Sequence, residues 1–228
     1  QDPVRFFLFE DERQENTFLI NEIEKARAEG IPLPQIAVLF RTNVQPRLLM
    51  EQMLSRNMAF RTKDRIPNIY EHWIAKDFFA YIRIAQGSDK RADFLSIMNK
   101  PKRYIGRDSL CEPHVAFDEW IRMYDEQPWI AERIEQLWHD TRVLNTLSPY
   151  AAINFIRRGI GYDDYLAEYA EYRNANKEDF YEVADEILAS AKGYRTFEEW
   201  FAHIEEYRQE LKRLAQEKRR NQNAVTFA

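Results

Sequence analysis

Apolar positions along the first sixty residues switch between two periods. Val4–Phe9 (VRFFLF) is a short run of β-forming apolar residues and predicts a strand. Phe18, Ile20, Ile23 and Ala26 recur at helical spacing, and Gly30 stops that helix. Gln35–Arg41 (QIAVLFR) is a continuous apolar run followed by polar residues, as in a strand buried on both faces of a parallel sheet. Leu48, Leu49, Met53 and Leu54 predict a second helix, and Met58–Thr62 a third strand. The order β-α-β-α-β implies a parallel sheet with helices on its faces.

Beyond residue 71 the period is almost wholly helical. Trp73, Ile74, Phe78, Tyr81, Ile82 and Ala85 form one amphipathic helix that ends at Gly87, and Phe94, Leu95, Ile97 and Met98 form another. Pro101 breaks the pattern and predicts a loop over 99–107. Helices are predicted over 108–126, 129–145, 149–158, 163–173, 178–191 and 196–220. Ser148-Pro149 reads as an N-cap with proline at the first helical position. Thr196 with Glu199 reads as a capping box, after Gly193 has closed the helix before it. Ala224–Ala228 is again β-like. The pattern therefore predicts an α/β unit, a helical insertion, and a strand that returns to the α/β unit.

Composition supports this picture. Of 228 residues, 45% are hydrophobic and 31% charged, enough apolar content to fill a core. Only 6 glycines occur, which argues against a turn-rich all-β fold. One cysteine, Cys111, excludes an internal disulfide framework and any multi-cysteine metal site, and suits a reducing compartment. Cys111 falls in the helix predicted over 108–126 and reads as a packing residue. No apolar run is long enough to span a bilayer, and the start carries no basic-plus-apolar signal segment. The chain does not begin with Met and its final β-like run stops abruptly, so it reads as an intracellular fragment of a longer protein.

Net charge is −5, but the charge is segregated. Residues 99–107 carry four basic residues and no acidic one. Residues 208–220 carry six basic and two acidic residues, while 163–186 carry nine acidic residues against Arg173 and Lys177. A local basic face decides nucleic-acid binding more than net charge does. Each run, taken alone, also reads as an ordinary solvated face.

Several chemistries are missing from the sequence. It has no GxxxxGK[ST] phosphate loop and no Gly-x-Ser-x-Gly nucleophile elbow. The 4 histidines, His72, His114, His139 and His203, lie far apart and outside any HExxH motif, so no metal site is expected. The informative stretch is Ile36–Glu51, where a buried strand ends in Phe40-Arg41. Ligands of open α/β sheets sit beyond the carboxyl ends of the strands. Arg41 there suits a phosphate and Phe40 a stacked base. The plainer alternative is a core Phe40 and a surface Arg41.

The stretch IAVLFRTNVQPRLLMEQML resembles motif IV of the UvrD/Rep/PcrA family of superfamily 1 DNA helicases, including the spacing of Gln45, Arg47 and Glu51. Ile74–Arg83 resembles that family's "EIKDxLAYLRL" helix, and Asn99–Gly106 its "NTPxRGIG" loop. Gly159–Leu166 (GIGYDDYL) resembles a "GxxxxYL" pattern of its helical insertion, and Val225–Ala228 resembles the strand leading into motif V. The matches occur in family order and cover most of the chain.

The resemblance implies α/β architecture with a mostly helical insertion. A partial RecA-like parallel sheet, domain 2A, would be interrupted by an all-helical subdomain, 2B. The expected partition is 2A over 1–107, 2B over 108–220, and a return strand of 2A over 221–228, cut before motif V. It further implies an ATP-dependent DNA helicase translocating 3′ to 5′ in DNA repair or replication, cytoplasmic and associated with the bacterial nucleoid, with no membrane partner. Phe40 would stack on adenine and Arg41 would contact the γ-phosphate. Asn99, Lys100, Lys102, Arg103 and Tyr104 would line a single-stranded DNA track. ATP and Mg²⁺ would be held mainly by a first RecA-like domain outside this chain, with DNA at a single-strand/duplex junction as the other partner, so the chain alone is expected to be inactive.

Two departures from the family pattern stand out. Residues 63–72 lack its Gly-Gly-x-x-Phe-(Tyr/Phe)-Glu-Arg stretch, and Tyr104 replaces a glycine of the loop, where it either stacks on a base or packs. Two rivals remain at this point. One is a non-catalytic helicase-like module that docks a protein through its acidic helical block. The other is a nuclease-helicase subunit.

Overall fold

The computed structural model describes residues 3–41, 45–62, 68–217 and 223–227. The chain divides into two compact units, residues 1–67 with 205–228, and residues 68–204.

The first unit is built on a small parallel sheet. Helix α1 (Glu12–Ala28) is capped by Asp11, whose carboxylate accepts from the Gln14 N–H at 2.8 Å. Strand β1 (Ala37–Val38) follows, then α2 (Pro46–Ser55) and β2 (Phe60–Thr62). Strand β3 (Val225–Phe227) lies between the other two, in the order β1-β3-β2, parallel to both. The Val225 N–H donates to the Ala59 carbonyl at 3.2 Å and the Thr226 N–H to the Ile36 carbonyl at 3.0 Å. The core joins Ile20 and Ile23 of α1, Leu49, Met50 and Met53 of α2, Phe60, Val225 and Phe227. The parallel sheet and the returning strand are those that the apolar pattern predicts, but β1 is a two-residue strand at the edge of the described sheet and is not buried on both faces, since Ala37 and Leu39 are exposed.

Val4–Phe9 is not a strand. Its backbone joins no ladder among the described residues. Phe7 and Phe9 lean on Phe18 of α1, with centroids 4.4 and 5.2 Å away, while Val4, Phe6 and Leu8 face solvent. β-forming side chains favour extended backbone, but a strand needs an edge to pair with.

The second unit is helical. It comprises α3 (Trp73–Ala85), α4 (Arg91–Ile97), α5 (Phe117–Arg122), α6 (Pro128–Leu144), α7 (Pro149–Asn154), α8 (Tyr162–Arg173), α9 (Lys177–Ser190) and the first part of α10 (Phe197–Glu217). The capping box at α10 is present: Thr196 Oγ1 accepts from the Glu199 N–H at 3.2 Å, and Glu199 Oε2 from the Thr196 N–H at 3.4 Å. Ser148 is the α7 N-cap with Pro149 behind it.

One predicted helix is broken up, and another is present but widens at its end. Over 108–126 the chain makes only a short 3₁₀ turn at Arg107–Ser109 and then α5. Between them, Lys90 and His114 form an antiparallel bridge, and the Val115 N–H donates to the Asp89 carbonyl at 2.7 Å. Pro113 has no N–H to continue a helix. Cys111 is therefore exposed in a loop and is not a packing residue of a helix. Over 149–158, α7 widens into a π-turn at Phe155–Gly159, where a Cβ on Gly159 would lie 2.5 Å from the Phe155 ring.

Candidate functional site

Phe40 and Arg41 belong to the first unit, just past the carboxyl end of β1. The Phe40 ring is half-buried and meets Phe227 of β3 edge-on, with centroids 5.4 Å apart. Arg41 is exposed, and its backbone N–H donates to Gln45 Oε1 at 2.9 Å. Two residues on, Arg47 is buried and pairs with Glu51 at 2.8 Å along one face of α2. The motif's polar residues thus divide by task. Gln45 ties the helix start to the strand end, and Arg47 with Glu51 braces α2. Arg41 presents a guanidinium, a charge-bearing fork suited to phosphate oxygens, at the sheet edge. Thr42 and Asn43 lie outside the described residues.

The loop 99–107 belongs to the second unit, together with residues 68–98. Asn99 shapes it: Nδ2 donates to the Ile105 carbonyl at 2.9 Å, and Oδ1 accepts from the N–H groups of Ile105 (3.0 Å) and Arg103 (3.3 Å). Lys100 Nζ donates to both Asp77 oxygens, at 2.8 and 2.7 Å. Arg103 is buried. Its guanidinium donates to the carbonyls of Ile97, Met98 and Pro101 and, at 3.2 Å, to the Tyr81 hydroxyl, which in turn donates to the Lys100 carbonyl at 2.6 Å. Lys102 and Tyr104 are exposed, and Lys102 Nζ lies 4.8 Å from the Tyr104 ring centroid. Tyr104 has φ 59°, the left-handed region that a glycine adopts without strain. The five residues named for this loop are therefore neighbours, but three of them turn inward to hold its shape.

Asp77 escaped the sequence reading. It accepts from Lys100, from Ser96 Oγ (2.9 Å) and from the Tyr162 hydroxyl (2.6 Å), joining α3, α4, the loop and α8 at one buried carboxylate. The Tyr162 hydroxyl is pushed far above its ordinary range by burial and then by the Asp77 charge beside it. Tyr165 is pushed up to about 12, again by burial first and the Asp77 charge second. Both phenols therefore stay neutral. A signal was present: Asp77 stands on the apolar stripe of α3, three residues after Ile74 and four before Tyr81. Arg133 and Trp129 were also missed. They lie one turn apart on α6, and Arg133 Nη1 donates to the Arg103 carbonyl at 3.0 Å.

The sequence model of the UvrD-like helicase C-terminal domain matches residues 1–226 of the chain. The chain belongs to that family. PcrA of Staphylococcus aureus (strain Mu50), an ATP-dependent DNA helicase, is 31% identical over 125 residues, covering 54% of this chain and 17% of that protein. PcrA of Staphylococcus epidermidis, also an ATP-dependent DNA helicase, is 30% identical over 109 residues, covering 48% of this chain and 15% of that protein. YjcD of Bacillus subtilis (strain 168), whose name sets it among the ATP-dependent DNA helicases, is 22% identical over 216 residues, covering 91% of this chain and 28% of that protein. This UvrD-like chain thus spans less than a third of these relatives' length. No helix among its described residues is long and apolar enough to cross a membrane. No group of three or more His, Cys, Asp or Glu among them could hold a metal ion.

Proposed function

We propose that this chain is the 2A and 2B portion of an ATP-dependent DNA helicase that translocates 3′ to 5′ during DNA repair or replication. Residues 1–107 with the return strand at 221–228 are assigned to 2A, and residues 108–220 to 2B. The observation that carries the reading is the exposed Arg41 beside a half-buried Phe40 at the carboxyl end of a parallel strand, in a chain of the UvrD-like family. ATP supplies the phosphoryl group whose hydrolysis powers translocation. Arg41 stabilises the charge that develops on it, as arginine fingers do. Phe40 offers its open ring surface to adenine. Mg²⁺ and the remaining phosphate contacts fall to a RecA-like domain elsewhere in the longer polypeptide.

The basic loop contributes DNA contacts that read no sequence. Lys102 and Tyr104 face the strand. Asn99, Lys100 and Arg103 hold the loop, with Lys100 near enough to the surface to share a phosphate.

Arg41→Ala in the longer polypeptide tests the nucleotide reading. It is expected to lower kcat by roughly 10³-fold or more with little change in KM, because the contact is strongest in the transition state. An unchanged kcat in a folded variant removes Arg41 from the site.

A further inference from the structure

A side chain from beyond the strand holds the exposed Arg41 in place. Among the described residues, β1 pairs with β3 at Ala37 and Val38, opposite Thr226 and Phe227, and Arg41 stands past the end of that ladder. Phe40 before it is held by the edge-on contact with Phe227. The Arg41 N–H donates to Gln45 Oε1 at 2.9 Å, a side chain that reaches back from the start of α2. That start is firm. Pro46 sets the first helical φ in advance, and the buried Arg47 pairs with Glu51 at 2.8 Å along the same helix. Gln45 makes no side-chain cap bond to α2, so its amide oxygen serves the strand end rather than its own helix.

We infer that Gln45 is a positioning residue for Arg41: by holding the Arg41 main chain, it fixes the point from which the guanidinium reaches the transferring γ-phosphoryl group. The inference rests on the nucleotide reading above and adds to it the residue that sets the arginine. A long, flexible side chain delivers its charge reproducibly only when its own main chain is anchored. Stabilising a transition state by charge depends on donors set in place beforehand. A displacement of about 1 Å can cost roughly 10²-fold in rate. The effect passes through one main-chain hydrogen bond at an exposed position, where overall stability depends on it little.

The test is a double-mutant cycle in the longer polypeptide, read by ATP turnover with thermal melting as the control. Gln45→Met keeps the length of the side chain and loses its strong acceptor. It should lower kcat about 10-fold, with KM and the melting midpoint close to those of the unmodified protein. Gln45→Glu keeps an accepting oxygen and should hold kcat near the unmodified value. Arg41→Ala retains the main-chain N–H but not the guanidinium, so adding Gln45→Met to it should lower kcat no further. In the chain itself, hydrogen exchange at the Arg41 amide should be faster in Gln45→Met and unchanged in Gln45→Glu. A drop in kcat that persists in the Arg41→Ala background, or equal exchange rates in all three proteins, overturns the inference. So does an unchanged kcat for Gln45→Met where Arg41→Ala lowers it, and the nucleotide reading then stands. If Arg41→Ala itself leaves kcat unchanged, that reading fails and the positioning role with it.

Discussion

Arg103 and Arg41 carry the same charge and differ in burial. Arg103 is enclosed and spends its guanidinium on three backbone carbonyls and a phenol, whereas Arg41 stands exposed at a strand end. Replacing Arg103 would orphan those carbonyls and deform the loop before any DNA contact was lost. A combined substitution of Lys100, Lys102 and Arg103 therefore mixes binding with stability, and Lys102→Ala alone is the cleaner probe. It should reduce the slope of log affinity against log salt by roughly 0.7 for a single strand. Phe40→Ala carries a similar ambiguity, because that ring also packs on Phe227. His72 gives a residue-scale prediction in pH. Its Nδ1 accepts from the Ile74 N–H at the start of α3, at 3.3 Å. Burial lowers its pKa below the ordinary 6.5, with Lys76 adding to the effect and Asp77 opposing it. As pH falls through about 6.5 the unfolded chain takes up the proton first, so stability should decline there and be fuller above. His72→Asn keeps a cap acceptor and removes the titration. Its thermal midpoint should vary less between pH 7 and 5 than that of the unmodified chain. An equal pH slope in both would exclude His72 as the source.

Among the elements, α3 organises the helical unit. Its apolar stripe supplies Ile74, Phe78 and Tyr81 to the core, and the one acid on that stripe, Asp77, ties in α4, the loop and α8. The Asp77 side chain is 3% exposed and that of Lys100 27%, so part of the pair's attraction is screened. Asp77→Ala leaves a largely enclosed ammonium without its counter-charge and is expected to cost about 3 kcal/mol in urea unfolding. Asp77→Asn, which keeps an acceptor for Tyr162, should cost less. A loss below about 1 kcal/mol for Asp77→Ala would show that the unit does not depend on this junction. The strands teach the converse lesson. Ala37–Val38 and Phe60–Thr62 become strands because Val225–Phe227 pairs with both, while Val4–Phe9, the most β-like run of all, has no described partner.

For the molecule as a whole, the sequence lacks the GxxxxGK[ST] loop that cradles nucleotide phosphates. The chain alone is accordingly expected to hydrolyse no ATP, with or without single-stranded DNA. Turnover above a protein-free control, in a preparation free of contaminating ATPases, would mean that it carries a phosphate site of its own. Periodicity in the sequence was enough to determine the helical insertion, the returning strand and, apart from Val4–Phe9, the α/β start, since each rests on which residues are apolar at which spacing. Helix starts such as Thr196–Glu199 were equally readable, because a cap is made by residues three apart. Tertiary structure alone decided which charges stay in water. Residues 99–107 read as four equivalent cations, yet Lys100 and Arg103 turn inward, because Asp77 and Tyr81, some twenty residues earlier on α3, meet them there. It also decided that Arg133 of α6 sits beside Tyr104. Burial of a charge depends on partners distant in the chain, and spacing along a sequence does not encode that encounter.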